Sequence, residues 1–201
     1  DAISCYDKVI QLDPDNTDAL FNKGVCLSKL GKYDSAISYY NKALEIENNP
    51  ETILQKGNAF VNLGRNSDAL ICYDGALTIK PDYFDALFHK GLLIEQLGRQ
   101  GEAIEYFERA ISIEPKHFEA IYHKGRCQAH LGEYDNAIAC YDEALKINPQ
   151  FSDALFHKGL LHAFLGTHDD ALTYYDKALK INPQHSDILL HKGRTLDRKS
   201  V

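Results

Sequence analysis

Four histidines recur at one phase of the chain: His89, His123, His157 and His191, each two residues before a glycine. Imidazole is the side chain best suited to ligate a metal or move a proton near neutral pH, so this recurrence raises that chemistry first. The spacing argues against it. Successive members stand 34 residues apart, in separate elements. Packed helices keep their axes roughly 10 Å apart, whereas ligand nitrogens must gather about 2 Å from one metal centre. No two of the nine histidines lie three or four residues apart. They read as surface or groove histidines, with no metal.

The five cysteines offer no more. Cys5, Cys26, Cys72, Cys127 and Cys140 form no C-x-x-C pair and no zinc-like spacing. Cys5, Cys72 and Cys140 each precede a tyrosine, while Cys26 and Cys127 each follow a Lys-Gly pair by two residues. Cysteines in register are expected to be small, buried, reduced packing residues, which suits a cytoplasmic setting. Nucleophile elbows, P-loops, dinucleotide fingerprints and H-E-x-x-H are absent. The carboxylates crowd helix starts and exposed faces. No catalytic residue and no cofactor is expected.

Composition narrows the partners. With 44% hydrophobic and 25% charged residues, the chain can fold. Its formal charge of −7 disfavours a sequence-independent grip on nucleic acid. No apolar run reaches a membrane span, and no signal peptide opens the chain. It contains no methionine and reads as a piece of a longer protein.

The elements that would position any site follow from a period. The Lys-Gly glycines are Gly24, Gly57, Gly91, Gly125, Gly159 and Gly193, so the first step is 33 residues and the others 34. Seven residues after the first five come Gly31, Gly64, Gly98, Gly132 and Gly166. Twelve after come Ala36, Ala69, Ala103, Ala137 and Ala171; sixteen after, Tyr40, Tyr73, Phe107, Tyr141 and Tyr175. Nineteen after come Ala43, Ala76, Ala110, Ala144 and Ala178, and four units close on Pro81, Pro115, Pro149 and Pro183. Such self-similarity marks a stacked-repeat architecture. Apolar spacing within each unit is helical: Leu87, Gly91, Ile94 and Leu97 share a stripe that Gly98 ends, and Ala103, Phe107 and Ala110 belong to a second helix that Pro115 closes. Asp34, Asp68, Glu102, Asp135 and Asp169 sit where a helix dipole favours acid. One helix pair cannot bury its own apolar face, so neighbours must stack.

These spaced Gly, Gly, Ala, Tyr/Phe, Ala and Pro residues resemble the tetratricopeptide repeat family over essentially the whole chain. The family's frequent Trp early in the first helix is Leu or Ile here, and its Leu before the first glycine is Lys, whose stem can lie along apolar surface. The resemblance implies an all-α, right-handed superhelical solenoid of antiparallel helix pairs. Five complete units are expected at 15–48, 49–81, 82–115, 116–149 and 150–183, between an orphan second helix at 1–14 and an orphan first helix at 184–201. The two unfinished ends would complement one another across a head-to-tail junction.

In this family the first helices line a concave wall on which peptides lie. Carried onto this chain, the wall positions are Phe21, Val25 and Lys29; Leu54, Asn58 and Asn62; Phe88, Leu92 and Gln96; Tyr122, Arg126 and His130; Phe156, Leu160 and Phe164; and Leu190, Arg194 and Arg198. The aromatics three before the glycine divide between packing and ligand contact. The residues one after it vary while the framework does not. Members that hold acidic C-terminal tails of chaperones use a Lys and Asn clamp, of which only Asn58 is matched here. The expected function is a non-enzymatic scaffold binding a peptide or helix of a partner protein. The alternatives are a self-assembling module and the targeting arm of a larger enzyme.

Overall fold

A computed structural model describes residues 2–199. Among them are twelve helices and no strand: α1 (Ala2–Leu12), α2 (Thr17–Lys29), α3 (Tyr33–Ile46), α4 (Pro50–Asn62), α5 (Asn66–Ile79), α6 (Phe84–Gln96), α7 (Gln100–Ile113), α8 (Phe118–His130), α9 (Tyr134–Ile147), α10 (Ser152–Phe164), α11 (His168–Ile181) and α12 (Ser186–Lys199). The all-α class and its antiparallel helix pairs are as the period requires. The chain divides into two compact units, one ending at Leu93 and one starting at Ile94, inside α6. Asp1, Ser200 and Val201, where a head-to-tail junction would fall, lie outside the described residues.

Local chemistry explains the helix ends. The Asn16 side chain accepts from the Ala19 N–H at 2.9 Å, and Asn49 accepts from Glu51 and Thr52 ahead of α4, whose first residue is Pro50. First helices end on the glycines expected to stop them. Gly98 has φ +77°, which lets the Arg99 N–H reach back to the Ile94 carbonyl at 3.1 Å. Second helices start without a side-chain cap, and the acid in the first turn supplies the favourable charge. Arg65 and Arg99 each pair with such an acid, Asp68 at 2.7 Å and Glu102 at 2.5 Å.

In both units the core is a small-against-large interlock. Tyr40, Tyr73, Phe107, Tyr141 and Tyr175 are all essentially buried, as are the alanines flanking them in register. The Lys-Gly glycine is the counterpart. A Cβ built on Gly24 would lie 2.5 Å from Tyr40 Cε1, and one on Gly57 2.8 Å from Tyr73 Cε1. The glycine leaves the room that the ring fills.

The lysine before that glycine does more than cover apolar surface. Within the first unit Lys23 pairs with Asp7 and Lys90 with Asp74. Within the second, Lys124 pairs with Glu108 at 2.8 Å, Lys158 with Asp142, and Lys192 with Asp176 at 2.5 Å. Each pair ties a first helix to the second helix before it. Burial pulls the Lys158 ammonium down, but hydrogen bonds to Asp142 and Tyr174 outweigh it and leave its pKa above the usual lysine value. At the α3–α4 junction the acid's place is held by Asn41, and Lys56 Nζ sits 5.9 Å from the Phe60 ring instead. Asn41→Asp is expected to complete the series and stabilise the first unit by about 0.5–1 kcal/mol. A urea midpoint that rises at low salt, with the gain shrinking as salt is added, checks this.

Candidate functional site

In the first unit Phe21, Val25, Phe88 and Leu92 are half-buried and Lys29 is exposed. Phe21 leans on Tyr40 with ring centroids 6.1 Å apart, and Phe88 stacks on Phe84 at 5.9 Å, so both serve packing. Leu54 is only 2% exposed and belongs to the core rather than to a wall. Asn58 is tied into the framework, its Oδ1 accepting from the Tyr73 hydroxyl at 2.7 Å, and Asn62 donates back to the Asn58 carbonyl at 2.8 Å. The one match to the chaperone-tail clamp therefore has its carbonyl oxygen engaged within the protein.

The second unit has the richer face. Gln96, His130, Phe164, Leu190, Arg194 and Arg198 are exposed, while Arg126, Phe156 and Leu160 are half-buried. Phe164 is 68% exposed, touching Tyr134 with ring centroids 5.1 Å apart. Phe156 is taken up by packing on Tyr175, His185 and His191. Tyr122, expected on the wall, is 3% exposed and belongs to the core. Its ring meets Phe151 edge-on at 4.9 Å, and its hydroxyl lies 3.0 Å from His157 Nδ1. Burial raises its pKa well above the usual tyrosine range.

The recurrent histidines are seam residues. His89 lies against Tyr73 at 6.5 Å in the first unit; in the second, His123 stacks on Phe107 at 5.7 Å and His157 lies 6.4 Å from Tyr141. In these three the imidazole lies against the register aromatic of the preceding repeat, whereas His191 packs on Phe156 at 5.6 Å. Burial lowers the pKa of both His89 and His157, the carboxylate of Asp85 opposing it weakly at His89 and the Asp153 carbonyl at His157. Among the described residues no group of three or more His, Cys, Asp or Glu is placed to hold a metal ion, and no helix is long and apolar enough to cross a membrane.

One residue of the site was not singled out from sequence. Glu95, four residues after Gly91, has a side chain only 6% exposed. Its Oε2 lies 2.7 Å from His123 Nδ1 and its Oε1 3.2 Å from Arg126 Nε. Arg126 also lies over the Tyr122 ring at 5.8 Å. Burial alone would lower the Arg126 pKa, but Glu95 and Tyr122 reverse that, so the guanidinium stays charged. The signal was available as a break in register. The same place holds Ser28, Val61, Ala129 and Ala163 in the other complete units, and a buried charge among small or apolar residues is the informative kind of exception. Beside this cluster a cavity of about 180 Å³ opens, lined by Arg126, His130, Tyr141, His157, Leu160 and, at its edge, Ala129 and Leu161.

Comparison with known proteins follows from this geometry. A family model described as tetratricopeptide repeat matches residues 17–50, 118–151 and 152–185, and a second of the same description matches 54–116. Protein STIP1 homolog of Dictyostelium discoideum is 32% identical over 81 residues, which are 40% of this chain and 14% of that protein. Among solved structures, YrrB, described as a TPR protein with an unusual peptide-binding site, is 25% identical with a TM-score of 0.77, covering 94% of this chain and 97% of its own. MamA is 28% identical with a TM-score of 0.74, covering 82% of this chain and 96% of its own.

Proposed function

We propose that this chain, which belongs to the tetratricopeptide repeat family, holds a peptide or helix of a partner protein on the first-helix face of its second unit. Family membership makes the chain a non-catalytic scaffold able to bind peptides; the face and its residues are the proposal. The observation that carries it is Phe164 with Leu160. Phe164 is exposed and Leu160 half-buried on α10, beside a cavity with polar groups, while the core positions of that unit are already filled. An apolar strip with a few placed polar groups is what peptide recognition needs. The description of YrrB as peptide-binding supports the reading by likeness. A reducing, cytoplasmic setting belongs to the same proposal: burial raises the Cys72 and Cys140 thiols and pushes Cys127 up to about 12, which suits cysteines used for packing, whereas Cys5, expected to be buried with them, is exposed.

The test is selection of binders from a random displayed peptide library. Enriched peptides are expected to lose about tenfold in affinity on Leu160→Ala/Phe164→Ala. They should be indifferent to Ile71→Ser, which removes an equally exposed apolar side chain from the second helix α5. The reverse pattern would move the binding surface off the first helices.

A further inference from the structure

The polar groups around the α8–α10 cavity are of one kind. Arg126, His130 and His157 line it with the Tyr141 phenol, and among the described residues no carboxylate does. We infer that this cavity is the subsite for an acidic side chain, Asp or Glu, at an internal position of the bound peptide. Arg126 receives the carboxylate, and Glu95 is the positioning residue that aims Arg126. The inference rests on the peptide-binding reading above and names the chemistry of its ligand.

Two register exceptions meet here. Arginine follows the Lys-Gly glycine by one residue at Arg126, where Val25, Asn58, Leu92 and Leu160 stand in the other complete units. A carboxylate follows by four only at Glu95 among those units. The other units stack without this pair, so stacking does not require it. Nor does an ion pair with a buried member add stability over apolar residues of similar size. What it supplies is direction. A guanidinium is a planar fork of five N–H donors. Glu95 Oε1 stands 3.2 Å from its Nε as an ion pair without a hydrogen bond, Tyr122 supplies the side-chain hydrogen bond, and the Arg126 side chain stays 33% exposed and lines the cavity. Glu95 is itself held at its other oxygen by His123.

Size and surroundings choose the ligand group. About 180 Å³ suits one side chain. Leu160, Leu161 and Ala129 offer apolar contact for its methylenes, with donors at the end. The face continues on both sides of the cavity within the unit, through exposed Gln96 and through exposed Phe164 and Arg194. A peptide ending at the cavity would leave one flank uncovered. An internal residue uses both.

The probes are library-selected peptides acetylated and amidated at their ends. They are expected to share Asp or Glu at one fixed position. Changing that residue to its amide should weaken binding to the wild type about tenfold, but by less than about twofold to Arg126→Gln. Glu95→Gln should keep the amide peptide's affinity while cutting the discrimination to about threefold, which a merely structural role would not do. Glu95→Gln/Arg126→Gln, which removes both charges together, serves if a single change harms folding; helicity and melting midpoint report that. Selected peptides without a shared acid, or discrimination unchanged in Arg126→Gln, overturn the subsite and leave the groove standing if Leu160→Ala/Phe164→Ala still weakens binding. Discrimination that appears only with a free peptide C-terminus overturns the internal position. Selected peptides indifferent to the Leu160 and Phe164 changes, or no selected peptides at all, overturn the groove itself.

Discussion

Gly159→Ala is expected to destabilise the second unit by about 1–3 kcal/mol, whereas Gly193→Ala, at the same place in the repeat, is expected to stabilise it by about 0.5–1 kcal/mol. The difference is what each new methyl meets. At Gly159 it would lie 2.6 Å from Tyr175 Cε1, 2.8 Å from Cδ1 and 3.3 Å from the Ala171 carbonyl oxygen. Tyr175 is fully buried, so the ring can yield only by disturbing the packing around it. At Gly193 nothing lies within 4 Å of the built Cβ. There the ordinary preference of a helix for alanine over glycine is left to act alone. Urea unfolding of the two variants beside the wild type decides it. Equal shifts, or a gain at both sites, would mean that the aromatic does not fill the glycine notch as described.

That contrast marks what was legible in the sequence. The interlock of glycine and aromatic recurs at Gly24, Gly57, Gly125 and Gly159, and one explanation serves those copies; the helices and their glycine stops followed from the period. Depth did not follow. Leu54 and Tyr122 occupy the same register as Phe21, Phe88 and Phe156, yet they are buried while the others are half-exposed. At Tyr122 the depth comes from the next repeat, whose Phe151 closes over its ring. The lysine–acid series was present in the sequence as Lys23 with Asp7 and Lys158 with Asp142, sixteen residues apart. That spacing becomes contact only once the second helix of one repeat is laid against the first helix of the next. Glu95 is the opposite case. Its partners His123 and Arg126 lie in the following repeat, and periodicity, which made the fold readable, says nothing about a residue that departs from it.

Acid is expected to loosen both units through the buried seam histidines. Burial depresses the pKa of His89 and His157, so the native state holds them neutral, whereas the unfolded chain takes up protons at the ordinary value near 6.5. Above about pH 6.5 neither state binds the proton, and these groups leave stability independent of pH. Below it the unfolded state binds first. Stability then falls as pH falls, by at most about 1.4 kcal/mol per pH unit for each histidine, until the native pKa is reached. The surroundings offer a protonated His157 little relief. Tyr122 and Tyr141 pack on its ring, Arg126 and His130 disfavour a second positive charge, and the Asp153 carboxylate and carbonyl favour it too weakly to offset burial. His89 is covered by Tyr73 and Phe88, with Asp85 as the favourable charge. A window from about pH 6.5 to 5.5 spans the range just below the ordinary histidine value. Urea midpoints across that window should drop for the wild type and drop less steeply for His89→Gln/His157→Gln, in which His162, whose pKa burial also lowers, keeps its share of the slope. A double variant with the wild-type slope, or a wild type that gains stability on acidification, would show that the imidazoles enter the seam already charged. The covering of one repeat's aromatic by the next repeat's histidine would then need another explanation than neutral stacking.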